Sequence, residues 1–233
     1  MAELKSAVVT GGSGDIGAAC VKALVDDGYR VGVLDRNADA VDEVCRQTGG
    51  VPLVADVTDE AAIEEALDTF GAVPDAVVNN AGIGRFAPLL EIALEDFRQV
   101  LEVNLVGAFI VARAAARRMT GRGSGCIVNI TSSNAMTTGP GSGGYPASKA
   151  GLQKLTEMMA LEWGPSGLRI NAVAPGFIDA GISTPFYADP QVRALRGNAV
   201  PSRRLGLAGD IANAVSFLVS DRASYINGQQ IVV

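Results

Sequence analysis

The chain has 233 residues, 48% of them apolar and 19% charged, and a net charge of −6. This composition suits a packed α/β protein and excludes a broad nucleic-acid surface, which requires an excess of Lys and Arg. There is no histidine, which excludes Ser-His-Asp catalysis, His-ligated zinc and any dehydrogenase whose acid is an imidazole.

From Met1 the sequence enters a strand-like run within five residues, and no apolar run reaches a membrane-spanning length, so neither a signal peptide nor a membrane partner is expected. Cys20, Cys45 and Cys126 are odd in number and lack ligand spacing. They read as reduced thiols of a cytoplasmic protein without a metal. Strands are predicted over 6–10, 30–35, 51–55, 76–79, 126–131, 169–174 and 230–233. Several are continuous apolar runs, as in parallel strands buried on both faces. Helices are predicted between them over 16–26, 38–47, 60–70, 94–119, 147–163 and 210–220. This alternation implies right-handed βαβ units in a Rossmann-type, doubly wound, seven-stranded parallel sheet with three α/β/α layers. With no linker or repeat, residues 1–233 form one expected domain, and the unpatterned stretch 176–207 is its substrate lid. The helix over 94–119 is apolar almost all round between Val103 and Ala112, which predicts burial by another subunit. The small Ala112, Ala115 and Ala116 permit close approach, and a homotetramer (or a dimer) is expected. Arg113, Arg117, Arg118 and Arg122 read as a solvated helix end.

The first strand leads into Thr10-Gly11-Gly12-Ser13-Gly14-Asp15-Ile16-Gly17 and then a helix. Glycines here let backbone approach a pyrophosphate, whose charge the helix N-terminal amides hold. Asp35 ends the second strand, where a carboxylate binds both hydroxyls of an adenosine ribose or simply caps the next helix. Ser132 follows the fifth strand, and Tyr145-Pro146-Ala147-Ser148-Lys149 opens a helix. Tyr145 and Lys149 share a helical face. A tyrosine of pKa ~10 is a poor base near neutrality. A cation at i+4 and the positive helix end both favour its phenolate.

In these motifs the chain resembles the short-chain dehydrogenase/reductase family of the compact, single-domain kind, over essentially its whole length. Residues 10–17 resemble the family's TGxxxGxG cofactor turn, and Asp56, with Val57 beside it, matches the acidic residue at the adenine. Asn79-Asn80-Ala81-Gly82 is similar to the NNAG segment, and Asn104 matches the asparagine of a proton-relay water. Ser132, Tyr145 and Lys149 match the catalytic serine and the YxxxK pair. Residues 171–176, ending in Pro175-Gly176, look like the strand end beside the nicotinamide, with Ile178 just beyond. The resemblance implies an oxidoreductase of small alcohols or ketones. Ser132 steadies the substrate oxygen, Tyr145 exchanges its proton, Lys149 lowers the tyrosine pKa and holds the ribose, and Asn104 relays protons through water. It also implies cofactor contacts at Gly11, Ser13, Asp15, Ile16, Gly17, Asp35, Arg36, Asp56, Val57, Asn80, Ala81 and Gly82. Tyr145, Lys149, Pro175, Gly176 and Ile178 complete that set.

Three departures stand out. Asp15 replaces the middle glycine of the turn, where it caps the helix or points away from phosphate. Ala180 replaces a threonine that holds the nicotinamide amide, with Ser183 or Thr184 as substitutes. The chain also stops at Val233, where relatives continue through an Asp-Gly-Gly tail.

NAD is the expected cofactor, because a 2′-phosphate would set about two negative charges against Asp35. NADP-preferring relatives often carry a basic residue at position 14, here glycine; Arg36 is the contrary feature. The alternatives are an NADPH-dependent 3-oxoacyl-thioester (acyl carrier protein) reductase and a catalytically silent dinucleotide-binding scaffold. The substrate is expected to touch Ser132, Asn134, Tyr145 and Phe177, with Ile182, Phe186 and Tyr187 on the lid and Met136 and Thr138 opposite. Arg193, Arg196, Arg203 and Arg204 offer lid charge or simple solvation.

Overall fold

Strand identity follows from which face each residue buries. In the computed structural model, which describes residues 4–233, β1 (Ser6–Thr10) sends Ala7 and Val9 into one apolar cluster and Val8 into another. β4 (Ala76–Asn79) and β5 (Gly125–Ile130) divide their side chains the same way. Period-2 residues that are apolar on both faces require cover on both, as expected for an interior parallel strand. β2 (Arg30–Asp35), β3 (Val51–Val54), β6 (Leu168–Ala174) and β7 (Gln230–Val232) complete one parallel sheet. Its strand order is β3-β2-β1-β4-β5-β6-β7, so all seven predicted strands are present.

On one face lie α1 (Asp15–Asp26), α2 (Ala38–Thr48) and α8 (Ala208–Val219), which bury Leu24, Val41 and Ile211. On the other lie α3 (Glu60–Phe70), α5 (Ala108–Arg122) and α6 (Tyr145–Trp163), with Phe70, Val111 and Met159 inside. The chain reverses direction of travel across the sheet between β1 and β4. Their carboxyl ends therefore diverge and leave a crevice, the usual ligand position of open α/β sheets.

Several expectations change. The predicted helix over 94–119 is α4 (Leu94–Leu101), a π-helical turn over Glu102–Gly107, and α5, which runs on to Arg122. An 18-residue stretch of it reaches a mean hydropathy of 1.4, long and apolar enough to cross a membrane, contrary to the reading above. That apolarity is spent within the chain, since Ile110, Val111 and Met119 are buried against the sheet. Ala112, Ala115 and Ala116 are buried there too, so they offer no close-packing surface to a second subunit. Leu94 and Val106 of this segment, and Met158 and Leu161 of α6, remain exposed.

The arginine cluster is not merely solvated. Arg113 and Arg117 pair with Glu60, Arg118 with Glu64 and Asp68, and Arg122 with Asp75, which straps α5 to α3 and to the start of β4. The stretch 176–207 is also more ordered than its composition suggests. It holds a 3-10 segment over Gly181–Ala188 and α7 (Pro190–Ala199), capped by the Asp189 side chain. A parallel bridge between Ile178 and Gly206 closes it at the base.

Gly17 shows how tightly the first turn is packed, because a Cβ there would collide with the Gly11 carbonyl oxygen. Gly17→Ala should cost about 1–3 kcal/mol, the usual range for overpacking, and lower Tm by roughly 2–12 °C. Thermal unfolding monitored by circular dichroism checks this, and an unchanged Tm would show that the turn yields.

Candidate active site

A cleft of about 380 Å³ opens at the carboxyl ends of the strands, along the β1/β4 divide. One end is lined by Gly11, Ser13, Asp15 and Ile16 of the turn, by Asp35 and Arg36 after β2, and by Asp56 and Val57 after β3. Its floor carries Asn80, Ala81 and Gly82 after β4 and Ser132 after β5. Tyr145 and Lys149 of α6 face Pro175, Gly176 and Ile178 after β6. Most residues predicted from sequence thus meet in one place. The exceptions are Gly17, Asn104, Asn134 and Phe177, none of which lines the cleft.

Each exception has a physical reason. Gly17 lies beneath the turn, packed on Gly11. Asn104 is fully buried in the π-helical turn, where its Oδ1 accepts the Ile83 N–H at 2.8 Å and its amide donates to the Ile83 carbonyl and Ser148 Oγ. A π-helical turn inserts one extra residue into the helix and re-aims a side chain. Here it turns Asn104 onto the loop after β4. A Cβ on Gly82 would lie 3.3 Å from Asn104 Oδ1 and 3.4 Å from Lys149 Nζ, so that glycine keeps a gap between the two. Asn134 sits in the short 3-10 turn over Ser133–Ala135, and its backbone N–H donates to Ser132 Oγ at 3.1 Å. Phe177 lies under the Arg196 guanidinium, 4.6 Å from its ring centroid, on the lid.

The electrostatics at the centre reverse one expectation. Burial pushes the Tyr145 hydroxyl up from its ordinary value, opposed only in part by a hydrogen bond with Ser132. Lys149 does not offset this, because its Nζ donates to the Ile130 carbonyl at 2.8 Å and stands 5.7 Å from the Tyr145 ring centroid. The cation is itself penalised by burial, which holds its pKa down to about 8. The causes that act on the Tyr145 hydroxyl are its own burial and the Ser132 contact.

At the adenosine end, Asp35 accepts from Ser13 Oγ at 2.6 Å and from the Arg36 N–H at 2.8 Å, which fixes its carboxylate at the turn. Asp56 accepts from the Thr58 N–H and hydroxyl, which hold its carboxyl below the usual range, and Arg36 lies 3.9 Å away. Arg36 therefore already has an anionic partner. Asp15 heads α1 after the Gly14 N-cap, and no side-chain cap forms. Its Oδ2 instead accepts the Gly181 N–H at 2.7 Å, across the cleft. Ser183 lines the cleft whereas Thr184 does not, and Ala180 is buried in the core.

The sequence points to Ile182 and Phe186 at the mouth but not to Arg85, Phe86 or Gln99. Arg85, Gln99 and Ile182 line it, and Phe86 stacks edge-to-face on Tyr145 at 5.9 Å and on Phe186 at 5.5 Å. Gly84 makes room for Phe86, whose ring end a Cβ would meet at 2.6 Å. The Gly84–Phe86 spacing, two residues past the NNAG-like segment, was the only available signal. Tyr187 is buried in the lid rather than facing the cleft, and Met136 and Thr138 do not line it.

The buried cation makes a testable statement about stability. A lysine depressed from its ordinary 10.5 to about 8 in the folded state destabilises the fold below pH ~8, on the order of 3 kcal/mol. The penalty fades as pH rises between those values, because there the unfolded chain binds the proton that the folded chain has lost. Lys149→Met removes the penalty but orphans the Ile130 carbonyl, which costs about 1–3 kcal/mol. The variant should therefore gain stability relative to wild type at pH 7 and lose that advantage by about pH 10.5. Thermal melts across this range check it; a Tm difference independent of pH would contradict it.

With this geometry in view, the comparisons are consistent. The chain matches the Enoyl-(Acyl carrier protein) reductase family over residues 12–233. It is 34% identical to a D-threitol dehydrogenase of Mycolicibacterium smegmatis, over 98% of this chain and 91% of that one. A 3-oxoacyl-[acyl-carrier-protein] reductase of Staphylococcus aureus is 37% identical, over 98% and 96% respectively. A solved NAD+-bound xylitol dehydrogenase superposes with a TM-score of 0.92 at 32% identity, covering 98% of this chain and 97% of that one. Identity above 30% along nearly the full length, on a seven-stranded parallel sheet of this order, establishes that the chain belongs to the short-chain dehydrogenase/reductase family of oxidoreductases.

Proposed function

We propose that the chain transfers a hydride between NAD(H) and a secondary alcohol or ketone, with Tyr145 exchanging the proton. The observation that carries this is the convergence of Ser132, Tyr145 and Lys149 at one end of a cleft whose other end holds Asp35. The cleft suits a dinucleotide. Glycines at 11 and 82 leave backbone exposed where a Cβ would crowd neighbours, and the α1 N-terminus presents free amides. Asp35 would hold the adenosine ribose, Asp56 and Val57 the adenine, and Lys149 the second ribose; the bound nicotinamide supplies the hydride chemistry.

The chain's own residues handle the oxygen. Ser132 Oγ accepts from the Asn134 N–H, which aims its own proton at the Tyr145 hydroxyl and at a substrate oxygen beside it. Tyr145, kept protonated at neutral pH by burial, is ready to give its proton to a ketone oxygen. Of the three Lys149 N–H bonds one is spent on Ile130, which leaves two for the cleft. Phe86, edge-on to Tyr145, and Ile182 bring apolar surface to this end of the cleft, which favours substrates with apolar surface beside the carbinol. D-Threitol, xylitol and 3-oxoacyl relatives show how widely such substrates vary within the family.

Tyr145→Phe should lower kcat by several orders of magnitude while NADH binding and Tm stay near wild type, since the ring supplies the packing. Ser132→Ala should cost about 10²–10³ in kcat by loss of an oxyanion donor. Steady-state assays on a panel of secondary alcohols and ketones test both, and more than a tenth of wild-type kcat in Tyr145→Phe would end the proton-transfer assignment.

The choice of NAD rests on Asp35, with Arg36 drawn toward Asp56 rather than standing free for a 2′-phosphate. Asp35→Ala should narrow the ratio of kcat/KM for NAD over NADP by tenfold or more, an effect of at least about 1.4 kcal/mol. A wild-type protein that used NADP as well as NAD would replace this reading with the 3-oxoacyl-thioester reductase.

A further inference from the structure

We propose that Asp15 is a positioning residue that latches the lid to the cofactor turn and opposes the dinucleotide's diphosphate, so that it weakens cofactor retention. The proposal rests on the NAD(H) reading above for its second half only. Asp15 is the first residue of α1, and its Oδ2 accepts the backbone N–H of Gly181 at 2.7 Å. The two residues are 166 positions apart and lie on opposite walls of the same cleft. Gly181 begins the 3-10 segment Gly181–Ala188, which carries the cleft residues Ile182 and Ser183 and places Phe186 against Phe86. A single carboxylate–amide bond therefore joins the phosphate-binding turn to the segment that walls the substrate mouth. Ala180, immediately before, is buried in the sheet-side core, which anchors the start of this segment.

Charge makes this latch more than a structural tie. The N-terminus of α1 is a positive helix end, which a carboxylate occupies favourably. A diphosphate occupies the same end for the same reason. Asp15 thus places a negative charge where the cofactor brings its own, and no side chain is bonded to the Asp15 carboxylate to neutralise it; its one partner is the Gly181 amide. A glycine at this position would allow the diphosphate to approach without that opposition, but it would leave the Gly181 N–H without an acceptor. Lid order in the free protein and cofactor grip are consequently set against each other by one side chain.

Two variants separate the latch from the charge. Asp15→Asn keeps an oxygen acceptor for Gly181 and removes the charge; Asp15→Gly removes both. NADH dissociation constants, from the cofactor's fluorescence, and its release rate by stopped flow should both fall about three- to tenfold in Asp15→Asn. In the absence of any cofactor, hydrogen–deuterium exchange over 178–186 should stay near wild type in Asp15→Asn and rise at least tenfold in Asp15→Gly. NADH binding to Asp15→Asn no tighter than to wild type overturns the electrostatic opposition. Unchanged exchange over 178–186 in Asp15→Gly overturns the latch. Wild-type protein that binds neither NADH nor NADPH would instead overturn the cofactor reading, and the exchange measurement would still decide the latch.

Discussion

The position of every wall of the cleft depends on how β1 is tied to the segment that leaves β4. Thr10 Oγ1 accepts the backbone N–H groups of Asn80 and Ala81, each at 3.1 Å. The Asn80 amide donates in the other direction, to the Thr10 and Gly11 carbonyls at 3.1 and 3.0 Å. Gly17 then packs directly on that same Gly11 carbonyl. At the point where the two halves of a doubly wound sheet part, the backbone would otherwise end in orphaned polar groups. The reciprocal knot satisfies them and at once fixes the turn, the start of α1 and the floor of the cleft. A side chain at 11 or 17 would press one wall into another, and one at 82 would crowd Asn104 and Lys149, which is why glycine suits all three sites.

A second constraint comes from low dielectric. Lys149 is 3% exposed and is held by one carbonyl, while Tyr145 is buried with the edge of Phe86 against its ring. Burial disfavours the charged form of each, so it lowers one pKa and raises the other. Spacing along a helix predicted that the lysine would activate the tyrosine. Distance and desolvation give the opposite balance: a protonated phenol beside a weakened cation. That state suits proton donation to a carbonyl oxygen at neutral pH. The reverse reaction, which needs the phenolate, is favoured on the alkaline side.

The parts of the architecture legible in the sequence were those written in local pattern. Runs such as Ala7-Val8-Val9 and Ala76-Val77-Val78 could only be strands buried on both faces, and the sheet has those residues at its centre. Glycine placement and the spacing of Ser132, Tyr145 and Lys149 likewise located the cleft. What stayed hidden depended on contacts between distant segments. The apolar helix around Val111 could not reveal whether a partner subunit or its own sheet covers it, because both demand the same side chains. A π-helical turn leaves no mark in the 3.6-residue period over so short a span. Asp15 read as a cap or an anomaly because its acceptor role involves a residue 166 positions away. Phe86 was invisible as a wall until the lid brought Phe186 beside it.

The lid arginines resolve in the same way and say where selectivity resides. Arg193 binds Asp179, Arg204 binds Asp210 through two hydrogen bonds, Arg203 donates to the Asn198 carbonyl, and Arg196 covers Phe177. Arg193, Arg196 and Arg203 hold the lid's own parts together, and Arg204 ties it to the first turn of α8. A charge already engaged by a carboxylate has little left for a substrate anion, since a second negative group would have to compete with the first. In the proposed reaction, recognition at the mouth then falls to Ile182 and to Phe86 beside Tyr145, with Arg85 turned toward Asp96 and Gln99. The lid's charge shapes the loop while Ile182 lines the cleft, a division that in the proposed reaction favours uncharged surface next to the reacting carbon and leaves orientation of the oxygen to Ser132 and Tyr145.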